Sequence, residues 1–444
     1  MTATQGLLER IAGLRQRLEP LPSDGDAGAV VERLATDADQ LGKALRSLQP
    51  MPIALPELPK ELTAQTRRLL QDAQELLTEQ RRLASFVKHE SLAGYHNQTT
   101  TLLEAALHTV QTFPASAEGQ VKSVCGVEAM LAVVKDRCGI LDRSARIHAR
   151  GEGRIDDLAR RLTDIAAARA VDPTWFAELA QDLIDEAKRG EPLRWLTAAM
   201  SEPIRAVAAH AINVAQLLAH IVPHDFEWST RPLTPIAAAL LMDVGLVGLT
   251  MDEDRRRETH PSRGARMLEV VFPDSAITCA AVAAHHERPD GTGYPTGLTA
   301  EAIPNLAKLL HVADHYVTLL SDRPQRPALD TRAALTDTLV AAERGLLDRE
   351  YAELLTQLSL YPIGSVVELI DGRIAIVIAV HSTRANVRAA SRPVVAVLTD
   401  SFGLPYPRPE YLDLAVRDHG GIERGLSTAE RRRMLAACDP EYSL

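Results

Sequence analysis

Two adjacent histidines, His285 and His286, are the residues of this chain best suited to chemistry. An imidazole carries a donor and an acceptor that both need partners, so an adjacent pair is a poor choice for an apolar core. Neutral imidazoles are, however, common metal ligands. Glu287 follows them, and then comes a turn in which Gly291 and Gly293 supply backbone freedom. The pattern favours a metal site beside a tight loop.

The run from His285 to Pro295, HHERPDGTGYP, resembles the signature of the HD-GYP family. Members of this family are metal-dependent phosphodiesterases of the HD superfamily that cleave cyclic di-GMP. Further elements match in the same order, from the helical His210 to the RP-x-R run that ends at Pro327. The resemblance therefore implies an all-α HD-type helical bundle and a cyclic dinucleotide as the ligand.

The resemblance also implies a metal centre built from several helices. Asp243 would bridge two metal ions, and His286 or a water molecule would protonate the leaving oxygen, so these two residues are the candidate catalytic residues. The implied cofactors are divalent metal ions, Fe or Mn, at most two, because such ions activate water and neutralise phosphoryl charge. The candidate metal ligands are His210, Asp243, His260, His285, His286 and Asp314.

Four further residues fall in family elements that lie near the substrate, and they are candidates for substrate binding: Arg263, Tyr294, Lys308 and Arg323. For Tyr294 two roles stay open, contact with the ligand or locking of its loop. His311 and His315 lie close to Asp314 in the sequence, but we do not count them among the ligands.

Three positions depart from the family pattern. Met242 stands where the family has the histidine of its His-Asp pair, and a thioether is a soft ligand that suits hard, water-activating metals poorly. Leu246 replaces a lysine near the phosphate, and Ala206 cannot supply a carboxylate for a third metal. One metal position should therefore bind weakly, and a three-metal site is not expected.

These departures leave two main hypotheses for the function. The first is an active phosphodiesterase that hydrolyses cyclic di-GMP in bacterial second-messenger signalling. The second is a catalytically inactive relative that senses a cyclic dinucleotide or serves as an interaction protein. A phosphohydrolase for another nucleotide is a third reading.

Composition narrows the class of protein. A chain of 444 residues with 46% hydrophobic residues is globular and long enough for several domains. The net charge of −10 argues against binding a nucleic-acid polymer. The four cysteines form no CxxC pair, which favours reduced thiols in a cytoplasmic protein. We find no signal sequence and no apolar run of membrane-spanning length, so no membrane partner is expected.

Periodicity predicts a mainly α protein with a small C-terminal β-rich part. Heptad-like seams at 7–18, 31–48 and 62–87 predict helices over 1–90, as either a self-contained bundle or a coiled coil that forms a homodimer. The predicted domains that follow are a helical module at 91–195, the HD-GYP-like domain at 196–347, a β-rich subdomain at 361–415 and a tail at 416–444. Within the subdomain, Asp371-Gly372 predicts a tight hairpin.

Overall fold

The structure is a computed structural model, and it describes most of the chain from residue 60 onward. The described residues are 60–84, 90–112, 114, 116–191, 193–199, 201–249, 253–323, 326–358, 361, 364–380, 392–416, 420–427, 430, 431 and 434. The first two predicted seams, at 7–18 and 31–48, lie outside this part of the chain.

The described residues are mainly helical, with a small C-terminal sheet, which confirms the predicted fold class. Three short 3-10 turns at 222–224, 244–246 and 355–357 accompany the α-helices. The α-helices are α1 (Lys60–Ala84), α2 (Glu90–Gln111), α3 (Ala117–Ala166), α4 (Thr174–Lys188), α5 (Pro203–Ile221), α6 (Leu233–Leu241), α7 (Glu253–Val271), α8 (Ala276–Ala284), α9 (Asn305–Leu319), α10 (Thr331–Glu343) and α11 (Arg349–Leu354).

The third seam packs within the chain. Leu69, Ala73 and Leu83 of α1 are buried in a core shared with α2 and the first half of α3, which includes Val134 and Leu141. Because these residues already have apolar partners, this part of the seam does not need a second chain to be buried. A homodimer through the N-terminal helices stays a prediction.

Helix α3 is 50 residues long and belongs to two cores. Its second half, from Ile155 to Ile165, joins the main core together with α4 and α5. Arg205 at the start of α5 forms ion pairs with Glu152 and Asp156 of α3, which fix α5 along this helix. The helix thus connects the N-terminal bundle directly to the helices of the predicted HD-type domain.

Helix α5 is the central helix of the main core. With the turn that follows it, the segment Pro203–His224 is long and apolar enough to cross a membrane by length and composition, which corrects our expectation that no run reaches that length. In the structure, 67% of its most apolar window is buried against other helices of the chain. A core helix therefore accounts for this composition.

The C-terminal sheet is antiparallel and has the strand order β4-β3-β2-β1-β5. The predicted hairpin forms, with Gly372 at φ 84° in its turn. One strand lies in the segment that we took for a tail, and it pairs with β1 as an edge strand. The strands are β1 (Val366–Leu369), β2 (Ile374–Ala379), β3 (Val394–Thr399), β4 (Pro405–Asp413) and β5 (Ile422–Gly425).

Candidate metal centre

All six predicted metal ligands lie together in the main helical domain. His210 lies in the middle of α5, His260 within α7 and Asp314 within α9. Asp243 follows α6 and precedes the 3-10 turn at 244–246, while His285 and His286 directly follow α8. Five helices therefore each contribute one or two side chains to a single centre.

The larger group of ligands, which we call the histidine half, consists of Asp243, His260, His285 and His286. Asp243 Oδ1 lies 3.3 Å from His260 Nε2 and 3.8 Å from His285 Nε2. The Nε2 atoms of His260 and His285 are only 3.2 Å apart. One ligand atom from each residue lies within 4.8 Å of the others, a spacing that a single metal ion can bridge.

The smaller group, which we call the aspartate half, consists of His210, Asp243 and Asp314. His210 Nε2 lies 2.7 Å from Asp314 Oδ1 and 3.9 Å from Asp243 Oδ2. Asp243 thus directs one carboxylate oxygen toward each half. This is the arrangement expected of a carboxylate that bridges two metal ions.

Electrostatics hold the two carboxylates ionised. Burial raises the pKa of Asp243, but hydrogen bonds from His260 and His285 outweigh burial and keep this pKa well below its usual value. Burial likewise raises the pKa of Asp314, and its hydrogen bond with His210 reverses the effect and lowers it. Both side chains therefore carry the negative charge that a metal ligand needs.

The histidines respond differently to their surroundings. Burial lowers the pKa of His210, but the hydrogen bond and charge of Asp314 outweigh burial and raise it. Burial also lowers the pKa of His285, but the hydrogen bond and charge of Asp243 outweigh burial and raise it. In His286, burial and the charge of His285 lower the pKa well below its usual value. A neutral His286 suits a metal ligand better than a proton donor.

His285 is oriented by a hydrogen bond to the backbone. Its Nδ1 donates to the carbonyl oxygen of Val282 at 2.7 Å, which places Nε2 on the side of the ring that faces Asp243. Such a bond from the second ring nitrogen is the usual way in which proteins fix a metal-binding imidazole.

The turn after Asp243 lies against α7 at very close range. A Cβ atom on Gly245 would collide with the carbonyl oxygen of His260 and would lie 2.8 Å from the backbone nitrogen of Gly264. Arg263 secures the same turn, because its Nη1 donates to the carbonyl oxygens of Gly245 and Val247. The structure thus places Arg263 on the backbone that positions Asp243, and its contact with substrate stays a prediction.

The loop after His286 is equally constrained. A Cβ atom on Gly293 would collide with the backbone of Arg288 and would lie 2.6 Å from Glu287 Cα, so only glycine fits there. Tyr294 lies with its ring centroid 4.8 Å from that of His286, at an interplanar angle of 34°. This contact favours the second of the two roles left open for Tyr294, which is to lock its loop, and contact with a ligand stays a prediction.

The other two predicted substrate contacts have different surroundings. Arg323 is near enough to His210 for its charge to lower the pKa of that histidine, and its Nη2 donates to Thr318 Oγ1 at 3.3 Å. Lys308 forms an ion pair with Asp348, with 3.5 Å between Nζ and Oδ2. Their roles toward a substrate stay predictions.

The three positions that we expect to differ from the family pattern are buried to different degrees. Met242 is fully buried and belongs to the main apolar core. Leu246 and Ala206 are partly buried. A side chain at position 242 is thus part of the packing beside Asp243.

His311, which we excluded as a ligand, lies beside the centre. Its ring centroid is 5.9 Å from that of His286, and its Nδ1 donates to the carbonyl oxygen of Glu287 at 3.0 Å. Burial lowers the pKa of His311 to about 4, so the ring is neutral. Its spacing of three residues from Asp314 gave no signal of this contact, because His286 comes from a different helix.

Comparison with known proteins finds similarity over the helical domain that contains the centre. Residues 236–351 match the model of a family described as HD domain, and five of the six ligands fall within this range, with His210 preceding it. The chain is 34% identical over 156 residues to a cyclic di-GMP phosphodiesterase of Pseudomonas aeruginosa, over 32% of this chain and 37% of the relative. This part of the chain therefore matches the HD-domain family and shares sequence with a cyclic di-GMP phosphodiesterase.

Two further relatives extend the comparison. A cyclic di-GMP phosphodiesterase response regulator of Xanthomonas campestris is 43% identical over 101 residues, which is 22% of this chain and 26% of the relative. A 3'3'-cGAMP-specific phosphodiesterase of Vibrio cholerae is 30% identical over 190 residues, which is 40% of this chain and 39% of the relative. The matched segments thus span well under half the length of each of these relatives.

Proposed function

We propose that this protein is a metal-dependent phosphodiesterase that hydrolyses cyclic di-GMP. The observation that carries this proposal is the position of Asp243, whose two carboxylate oxygens face separate groups of ligands in the histidine half and the aspartate half. Homology to cyclic dinucleotide phosphodiesterases supports the substrate class.

The chemistry of the donor set fits two divalent metal ions. Imidazole nitrogens dominate the histidine half, whereas the aspartate half offers one imidazole and two carboxylates. Such mixed nitrogen and oxygen ligands suit Fe or Mn. When bound, the ions would lower the pKa of a water molecule and neutralise the phosphoryl oxygens.

Side chains of the protein would then help to orient the substrate. Arg323, near His210, offers a cation for a phosphate that enters from the aspartate half. The low pKa of His286 favours ligation over proton donation by this residue. The leaving oxygen would therefore receive its proton from water.

An inactive cyclic dinucleotide sensor is the second candidate function, and position 242 is the observation that favours it. The fully buried Met242 gives the aspartate half no further nitrogen ligand, and Leu246 brings no charge to the substrate. If the metal of the aspartate half is held weakly, the site would bind the nucleotide without activating water.

Metal content and turnover, measured on the same anaerobically purified sample, distinguish the two functions. Two metals per chain with a linear product from cyclic di-GMP would support the enzyme, and the same assay with 3'3'-cGAMP would define its preference. At most one metal and no product with added Fe or Mn would exclude catalysis. Nucleotide binding measured by calorimetry on that inactive sample would then identify a sensor.

A further inference from the structure

His286 differs from its neighbour His285 in how its ring is held. Among the described residues its ring makes no hydrogen bond, although its backbone oxygen accepts from Tyr294 N at 3.2 Å, and the carboxylate oxygen nearest to the ring is Asp314 Oδ2, 4.0 Å from Nδ1. Outside the ligand set, its ring is flanked by Tyr294 on one side and by His311 at an edge, with an interplanar angle of 86° to His311. The orientation of this ligand therefore depends on packing.

One residue, Glu287, forms hydrogen bonds both to the loop that carries Tyr294 and to His311. The Glu287 side chain is only 1% exposed and accepts three hydrogen bonds: from Thr296 N at 2.7 Å, from Thr296 Oγ1 at 2.7 Å and from Leu298 N at 2.9 Å. These bonds hold the part of the loop that directly follows Tyr294. The backbone oxygen of Glu287 accepts the hydrogen bond from His311 Nδ1.

We propose that Glu287 is a positioning residue for the metal ligand His286. It holds the loop that carries Tyr294 through its side chain and His311 through its backbone, and the rings of Tyr294 and His311 confine the imidazole that has no hydrogen bond of its own. The inference rests on the proposed metal site, and it goes beyond that site by assigning a role to a buried acid that is not a ligand.

Both carboxylate oxygens of Glu287 are needed for this role. A carboxylate accepts hydrogen bonds at both oxygens, and here all three donors belong to the loop. A glutamine has nearly the same shape but offers one amide NH₂ group in place of an acceptor, so one loop donor would face another donor. Glu287→Gln should therefore loosen the loop without creating a cavity.

The test uses Co²⁺ as a spectroscopic probe, titrated into the metal-free full-length chain. We expect Glu287→Gln to weaken cobalt binding at the histidine half by roughly 10- to 100-fold, which is the usual cost of removing an outer partner of a metal ligand. The aspartate half should bind as before. Asp290→Asn is the matched control, because Asp290 Oδ1 accepts from Thr292 N and Oγ1 in the same loop without a bond to the Glu287 side chain.

Hydrogen exchange gives a second measurement that needs no turnover. The amides of Thr296 and Leu298 should exchange faster in Glu287→Gln than in the unmodified chain. Faster exchange with unchanged cobalt affinity would overturn the proposal, since the loop would then not control His286. Thr296→Val removes only the hydroxyl donor and should give a smaller loss of affinity in the same direction, whereas no loss in either variant would contradict the role.

The proposed function can fail independently of this inference. If cobalt binding weakens as expected but cyclic di-GMP is not hydrolysed, the positioning role of Glu287 stands and the catalytic function falls. If the unmodified chain binds no cobalt at all, both fall.

Discussion

The two halves of the metal centre share Asp243 but are built to different degrees. The histidine half has three imidazoles, and one of them, His285, is oriented by a backbone hydrogen bond. The aspartate half has His210 as its one imidazole, held by Asp314 at 2.7 Å. A buried methionine, Met242, stands beside it at the position where the family resemblance implies another nitrogen ligand.

The backbone contacts around Asp243 do not require a metal ligand at position 242. The contacts that place Asp243 come from Gly245, Gly264 and Arg263, none of which depends on the side chain at position 242. Because the framework is intact, the aspartate half should still bind a metal, though more weakly than the histidine half. The predictions below test that ranking.

Asp243→Asn should have the largest effect, because it removes the charge that both halves share. We expect turnover of cyclic di-GMP to fall by roughly 1,000-fold or more, about 4 kcal/mol of transition-state stabilisation. Metal analysis should show that both positions have lost affinity. Asp136→Asn, on the exposed surface of α3, is the matched control. Loss of only one metal would show that Asp243 does not bridge the halves.

Gly245→Ala should disturb the framework itself. The new Cβ would collide with the carbonyl oxygen of His260, so we expect the free energy of unfolding to drop by about 1–3 kcal/mol in chemical denaturation. Gly126→Ala has open space around it in α3 and should be neutral or stabilising by up to about 1 kcal/mol. Equal effects of the two changes would contradict the close contact.

Met242→His should make the two halves more alike. An imidazole at position 242 adds the missing nitrogen ligand, and we expect affinity for Mn²⁺ at the aspartate half to rise about tenfold, or 1.4 kcal/mol. Met242→Leu keeps the volume without a donor atom and should leave metal binding unchanged. An unchanged affinity in the histidine variant, with its fold intact, would mean that this position does not face the metal.

Lowering the pH should release metal from the two halves at different pH values, and this effect should be smaller than those of the substitutions. The hydrogen bond and charge of Asp314 raise the pKa of His210. A proton therefore competes with the metal at this single imidazole once the pH approaches the raised pKa. In the histidine half the pKa of His285 is also raised, but the pKa of His286 is lowered, so this half keeps a neutral imidazole at lower pH. Metal stoichiometry measured from pH 8 to pH 5 should therefore show loss from the aspartate half first. Simultaneous loss would argue against this order.

The residues that cluster at the candidate centre could be selected from the sequence because the family resemblance gives their order along the chain, and their role as metal ligands stays a prediction. The HD-type bundle then follows, and the structure brings His210 on α5 to Asp314 on α9. The roles of Glu287 and Arg263 were not predictable in the same way. A buried acid and a partly buried guanidinium both look like candidates for chemistry, and only their hydrogen bonds to backbone and loop show what they hold.

The β-rich part also combines structure that the sequence predicts with structure that it does not. The hairpin at Asp371-Gly372 has a local signal, since the turn chemistry is contained in two residues. Strand β5 has none, because its four residues, IERG, gain their strand conformation from pairing with the distant β1. Local patterns predict local structure, and pairing between distant segments must be observed.

Helix α3 has a mechanical consequence for the molecule. At a rise of about 1.5 Å per residue, its 50 residues extend over roughly 75 Å, and one continuous backbone runs through both cores. There is no hinge loop at which a displacement could be absorbed. A tilt of about one degree at one end would move the other end by about 1.3 Å over that length. The helix can thus act as a lever that transmits small movements of the N-terminal bundle to α5 and His210 through the ion pairs of Arg205.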